Sequence, residues 1–177
     1  MRLRSWHSSL APRDPTLVAA IEQRRGGVLL NLDRVLLWSE PLARSWNIFL
    51  RTLRQGLSLN PRIRELAICV VARVTGATYE FLHHAPEFQR AGGSEAQLAL
   101  LDDLPASAAS PLFDRLERAT IHFALASTKS VEVPDDVFDV LLASLSEQEI
   151  VELAAVVGAY NMVARVLVAL QVPHESN

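Results

Sequence analysis

Three residues in the middle of the chain could together carry out proton-transfer chemistry: Glu65, Glu80 and His84. Glu65 lies in an apolar run with helical periodicity that ends at Gly76. Glu80 and His84 follow in the next helical run and are four residues apart, so their side chains share one helix face. Two acids and an imidazole close together are the groups that general acid–base catalysis uses.

Each of these residues also has an interpretation without catalysis. Glu65 lies either on a solvated helix face, as an ion pair with Arg62 and Arg73 that contributes less than about 1 kcal/mol, or partly buried at a cleft. In the second case, burial would raise the pKa of its carboxyl towards a value useful in proton transfer. Glu80 and His84 are likewise compatible with an exposed helix pair.

A metal site is a further possibility that the spacing raises. Glu80 and His83 have the Glu-x-x-His spacing of di-iron carboxylate proteins, but those proteins use the motif twice and the chain contains it once. The neighbouring imidazoles of His83 and His84 point about 100° apart on a helix, which makes a poor chelate. We therefore expect no metal and no other cofactor.

The chain contains one cysteine, Cys69, within an apolar helical stretch. This setting favours a buried, inert thiol over a reactive thiolate. A single cysteine excludes an internal disulfide and fits a reducing cytoplasm, where we expect the protein to be located.

Composition and charge exclude several classes of partner. Half of the 177 residues are apolar, 21% are charged and the net charge is −3, so the chain lacks the basic face of a nucleic-acid binder. The longest apolar stretch, 150–170, is interrupted by Glu152, Asn161 and Arg165, and we expect no membrane span. The basic N-terminus has no following apolar region, so no signal peptide is expected.

Helical periodicity, separated by Pro, Gly and Ser, predicts an all-α fold with seven or eight helices. The predicted helices cover 15–24, 41–55, 61–74, 77–91, 94–101, 111–127, 134–142 and 146–170. Between them, 29–38 is expected to be an apolar loop or short turn, and 102–109 a connection rich in Pro, Ser and Ala. The short break at Gly76 should make 61–74 and 77–91 packed neighbours.

The last predicted helix is apolar on more than one face. A helix that is apolar all round must be buried on all sides, and one small domain does not easily provide that much burial. We therefore expect a homo-oligomer.

The core of the chain resembles the carboxymuconolactone decarboxylase family, whose superfamily includes alkyl hydroperoxidase D-like disulfide reductases. The matching residues are Arg64-Glu65-Leu66-Ala67-Ile68 and Gly76-Ala77-Thr78-Tyr79-Glu80-Phe81-Leu82-His83-His84-Ala85. The resemblance extends through Ala91-Gly92-Gly93, 158–162 and Arg165, and with 36–49 covers most of the chain.

The resemblance implies one all-α domain, 1–177, folded as a helical bundle of this type. It would consist of an N-terminal helical segment, 1–60, a core helix pair, 61–104, and C-terminal helices, 111–172. Family members assemble as trimers, hexamers or dimers, with the pocket close to a subunit interface.

The hydroperoxidase branch uses two cysteines, a histidine and a glutamate. Glu65 and His84 fall on the family's glutamate and histidine, whereas the two cysteine positions fall on Ala77 and Glu80. Thiol–disulfide turnover needs an attacking and a resolving thiol, and Cys69 alone cannot supply both. Peroxidase activity is therefore expected to be absent or weak.

The decarboxylase branch lacks the cysteine pair, and the resemblance implies cofactor-free acid–base chemistry on a small organic acid or lactone. In this interpretation His84 is the acid or base, and Glu65 and Glu80 orient it or relay protons. The candidate substrate contacts are Tyr79, Arg73 and His83. Two alternatives stay open: a peroxidase of the alkyl hydroperoxidase D-like type, and a member that has lost catalysis and acts in binding or assembly.

Overall fold

The computed structural model describes residues 1–11 and 13–175. Within these residues the chain forms ten α-helices and no β-strand, which confirms the all-α prediction. The helices are α1 (Pro15–Arg24), α2 (Asn31–Leu36), α3 (Glu40–Gln55), α4 (Pro61–Thr75), α5 (Thr78–Arg90), α6 (Glu95–Leu100), α7 (Leu104–Ala109), α8 (Arg115–Lys129), α9 (Asp135–Leu142) and α10 (Glu147–Leu170).

The helices belong to two compact units. The first consists of Met1–Leu57 with Ala169–Asn177 and contains α1 to α3; the second is Ser58–Val168 and contains α4 to α9 with nearly all of α10. The single domain expected from the sequence, with its segments 1–60, 61–104 and 111–172, stays a prediction.

In the first unit, the prediction of a loop at 29–38 is wrong, because α2 forms there. The carboxylate of Asp33 accepts a hydrogen bond from the Leu30 N–H at 3.1 Å and so satisfies an amide at the start of the helix. The same carboxylate pairs with Arg25 at 2.9 Å and Arg24 at 3.1 Å. The apolar pattern of the segment does not reveal these polar contacts, which explains the error.

In the second unit, α4 packs against both α5 and α8. The side chain of Asn60 accepts from the Arg62 N–H at 2.8 Å and caps the first turn of α4. The helix ends at Gly76, whose φ of +67° lies in the left-handed region. This tight turn sets α5 beside α4, which confirms the predicted packing of the two helices.

Two further boundaries in the second unit differ from the prediction. The 102–109 connection contains α7, because Asp103 accepts from the Ala106 N–H at 3.1 Å and starts a helix. Helix α8 begins at Arg115 rather than at 111. Asp114 and Glu117 exchange hydrogen bonds of 2.8 and 2.9 Å with each other's N–H groups, and this capping box fixes the helix start.

Helix α10 is long and rich in apolar residues. By length and composition it could span a membrane, contrary to the expectation from the sequence, because an 18-residue window contains no more than two charged side chains. The core helix of a globular protein meets the same criterion, and nine side chains of α10 are buried. Other apolar side chains of α10, including Val151 and Val168, are exposed.

Candidate active site

The second unit brings together two of the three residues singled out by spacing. Glu65 comes from α4 and His84 from α5, and Oε2 of Glu65 lies 2.6 Å from Nδ1 of His84. The two residues and Glu80 are each only 2–3% exposed. The other carboxylate oxygen of Glu65, Oε1, accepts from Nε of Arg64 at 3.0 Å. A short hydrogen bond between buried ionisable groups is little screened by water, so the contact between Glu65 and His84 is a strong electrostatic interaction.

The interpretation of Glu65 as a surface ion pair with Arg62 and Arg73 is wrong. Arg62 pairs with Glu117 at 2.6 Å, and Arg73 pairs with Asp102 at 2.8 Å. Glu65 instead lies on the face of α4 that the neighbouring helices cover.

Burial works to raise the pKa of the Glu65 carboxyl, but the hydrogen bond and charge of His84, together with Arg64, outweigh it. The pKa of Glu65 therefore lies below its ordinary value. The sequence-based expectation of a raised pKa is wrong because it took account of burial and not of these two partners.

The lowered pKa decides which nitrogen of His84 carries the proton. An ionised carboxylate only accepts hydrogen bonds, so Nδ1 of His84 must be the donor to Glu65. In the neutral ring, Nε2 is then the basic nitrogen. With Nδ1 held by Glu65, any proton exchange between His84 and a substrate would use Nε2.

Glu80 and Cys69 share the surroundings of this pair. Burial raises the pKa of the Cys69 thiol, and the charges of Glu65 and Glu80 raise it further. Both carboxylates are therefore close enough to act electrostatically on Cys69. The prediction of a buried thiol is confirmed, and a thiol with this pKa forms little thiolate.

The position at which the resemblance implies the first cysteine holds an alanine in an apolar cluster. Ala77, the residue before α5, is buried with Ala72 and Ala164, and Phe81 packs against the three alanines. A methyl group here contributes packing and no redox chemistry.

Tyr160 of α10 also belongs to the site, although the sequence did not identify it as a site residue. Its ring meets the His84 ring edge-on, with 4.8 Å between centroids and 85° between planes, and it is fully buried. Edge-to-face packing of this kind fixes the orientation of a ring. No spacing rule points to Tyr160, since it is far from His84 in sequence. Arg64 was also missed, although its place next to Glu65 was a usable signal.

The proposed substrate contacts lie in two different places. Tyr79 and His83 stack on each other along α5, with centroids 4.4 Å apart, and Nδ1 of His83 donates to the Tyr79 carbonyl at 2.9 Å. The guanidinium carbon of Arg73 lies over the Phe81 ring, 3.4 Å from its centroid. Arg73 also lines a cavity of about 530 Å³ with Leu101, Asp102, Asp103, Leu104, Pro105 and Lys129. Glu65, Glu80 and His84 are not among the residues that line this cavity.

No protein-family model and no curated protein matches the sequence. Solved structures do match. A peroxidase-related protein from Ralstonia eutropha JMP134, described as an alkylhydroperoxidase AhpD core, is 16% identical with a TM-score of 0.82, covering 99% of this chain and 92% of that one. Protein ATU0492 from Agrobacterium tumefaciens, described as a putative antioxidant defence protein AhpD, is 26% identical with a TM-score of 0.68, covering 76% and 90%.

A third similar structure belongs to a protein with a described reaction. It is a cysteine-to-alanine variant of the debrominase Bmp8 in complex with 2,3,4-tribromopyrrole. This protein is 21% identical with a TM-score of 0.77, covering 99% of this chain and 92% of that one. None of the three identifies the carboxymuconolactone decarboxylase family, which stays a prediction.

Proposed function

We propose that this protein, which is AhpD-like in fold, is a carboxymuconolactone decarboxylase-like enzyme that transfers protons without a cofactor. The substrate class is a small organic acid or lactone. The proposal depends on the buried 2.6 Å hydrogen bond between His84 and Glu65. An ionised carboxylate behind an imidazole is the arrangement by which a histidine becomes an effective acid or base.

His84 acts as the proton donor in the proposed decarboxylation. The bond between the substrate carbon and its carboxylate breaks, carbon dioxide leaves, and the electron pair passes into an extended enolate. The imidazolium of His84 then gives its Nε2 proton to the enolate carbon and recovers a proton from solvent. Glu65 stabilises the imidazolium before transfer, since its pKa keeps it ionised.

Other side chains hold the pair in place. Arg64 occupies Oε1 of Glu65 and leaves Oε2 for His84. Tyr160 packs edge-on against the imidazole. Glu80 supplies a second buried carboxylate for proton relay. Holding the acid in one geometry before the substrate arrives is a main source of rate in such reactions.

A thiol peroxidase is the alternative that the names of two similar structures suggest. Ala77 and the high pKa of Cys69 disfavour it, because no thiolate is provided. The debrominase variant binds 2,3,4-tribromopyrrole with one cysteine replaced by alanine. The second alternative is that the protein has lost catalysis and acts only in binding or assembly.

The test uses γ-carboxymuconolactone and related unsaturated lactone acids. Carbon dioxide release and deuterium uptake from D2O are measured for the wild type, for His84→Gln and for His122→Gln, which replaces an exposed histidine of α8. We expect turnover by the wild type, a loss of about 10²–10⁴-fold in His84→Gln, and no loss in the control. No turnover of any such acid, or equal rates in both variants, would contradict the proposal.

We also propose that a second copy of the chain covers the exposed apolar side chains of α10. Val151 is 67% exposed, and Met162 and Val168 are also exposed. Phe138 and Leu142 of α9 add apolar surface in the same unit. Exposed apolar side chains on neighbouring turns of a helix are typical of interfaces between subunits.

A further inference from the structure

A polar cleft lies between α1 and α3 in the first unit. Its volume is about 280 Å³, and its lining residues are Ala20, Gln23, Arg24, Asn47, Arg51 and Gln55. Of these, Asn47, Arg51 and Gln55 lie four residues apart on α3 and so share one helix face. The small side chain of Ala20 leaves space opposite them. The lining contains two guanidinium groups, three amides and no carboxylate.

Two arginines beside the cleft share one carboxylate. Arg24 and Arg25 both pair with the single carboxylate of Asp33, at 3.1 and 2.9 Å. Asp33 also accepts the N–H of Leu30. Two guanidinium groups therefore lie close to one buried carboxylate, and partly buried charges are weakly screened.

Arg51 adds a second positive charge at the cleft. Among the residues that the structure describes, no carboxylate forms an ion pair with it. Arg24, by contrast, is held in position: its side chain is 6% exposed, and its Nε donates to Oδ1 of Asn47, which is 8% exposed. The site therefore combines a fixed guanidinium with an accessible one.

We propose that this cleft binds the oxyanion group, carboxylate or phosphate, of a small molecule. The planar fork of arginine matches both groups, and charge-assisted hydrogen bonds to them are the strong ones. With Oδ1 of Asn47 facing Arg24, its amino group is a further donor, as are those of Gln23 and Gln55. A volume of about 280 Å³ lies at the small end of ligand pockets and suits a metabolite-sized acid.

Calorimetric titration of the full chain at low ionic strength tests the site, with three probes: succinate, inorganic phosphate and the uncharged analogue succinamide. We expect binding of succinate, phosphate or both, and none of succinamide. The stronger of the two anions identifies the carboxylate or the phosphate as the natural group. Binding should weaken with added sodium chloride.

Arg51→Gln is expected to weaken anion binding at least roughly tenfold, the loss of one charge-assisted hydrogen bond. Gln55→Glu should weaken it as well, by placing a like charge at the cleft. Arg90→Gln, which removes an exposed arginine of α5, is the control and should leave binding unchanged. Equal binding by Arg51→Gln and the wild type, or no anion binding at all, would overturn the proposal, whatever the outcome of the decarboxylation assay.

Discussion

His84 donates a hydrogen bond of 2.6 Å to Glu65, a residue 19 positions earlier in the chain and on a different helix. The contact depends on the left-handed turn at Gly76, which sets α5 beside α4. It joins two ionisable groups that are almost fully buried, so neither can be removed without consequence for the other. Both the stability of the second unit and its proposed chemistry therefore depend on this pair.

Glu65→Ala should lower the free energy of unfolding by about 3–5 kcal/mol, because it removes one partner of a buried pair and leaves the other without its acceptor. Urea denaturation measures the change. Glu87→Ala, which breaks an exposed pair with Arg90, is the matched control and should cause no comparable loss. Equal effects of the two substitutions would mean that the Glu65 contact does not stabilise the fold.

Acidification should destabilise the protein through Glu65. Folding lowers the pKa of its carboxyl below the ordinary value of 4.5. As the pH falls, the unfolded chain therefore takes up a proton before the folded chain does. The stabilisation is therefore complete above pH 4.5 and is lost as the pH falls through the folded pKa. We expect the free energy of unfolding to fall less between about pH 7 and about pH 3 in Glu65→Gln than in the wild type. Parallel pH profiles of the two proteins would contradict this.

Cys69 should be unreactive in the folded protein. Burial first, and then the charges of Glu65 and Glu80, raise the pKa of its thiol, and the thiolate is the reactive form. A chromogenic disulfide reagent should label the thiol only after unfolding in denaturant. Peroxide with a dithiol reductant should be turned over neither by the wild type nor by Cys69→Ala. Peroxide turnover that the substitution abolishes would restore the peroxidase interpretation.

The wild type should scatter light as a multiple of its 19.5 kDa chain at about micromolar concentration, because the apolar side chains of α10 need a partner. Val151→Glu should shift the population towards the monomer, since it buries a charge at the proposed contact. The control Val28→Glu places the same charge at a valine that is 61% exposed in the first unit. A monomeric wild type would refute the assembly.

The sequence predicts the helices that carry the site because their boundaries depend on local signals. Asn60 and Gly76 bound α4 by capping and by a left-handed turn, and both are recognisable from residue type. Helix α2 was not predicted because part of its support comes from outside the helix: besides its local contact with the Leu30 N–H, the carboxylate of Asp33 pairs with Arg24 and Arg25 of the preceding segment. No local pattern encodes that network.

The same distinction applies to the site. Spacing identifies Glu65, Glu80 and His84 as candidates, because helical periodicity and a short connection constrain where they lie. It does not identify the contact that His84 makes with Glu65, nor the Tyr160 ring beside it, since both depend on how separate helices pack. The lowered pKa of Glu65 likewise follows from its partners and not from its place in an apolar run.

The tautomer of His84 tests the central claim most directly, and it can be measured without a substrate by nitrogen-15 magnetic resonance of histidine-labelled protein. His84→Gln assigns the signal. In the neutral ring, the proposed role of Glu65 requires the proton on Nδ1, with a strongly deshielded hydrogen in the bond to Oε2, and an unprotonated Nε2. A neutral ring protonated on Nε2 would contradict the account, because the basic nitrogen would then face Glu65.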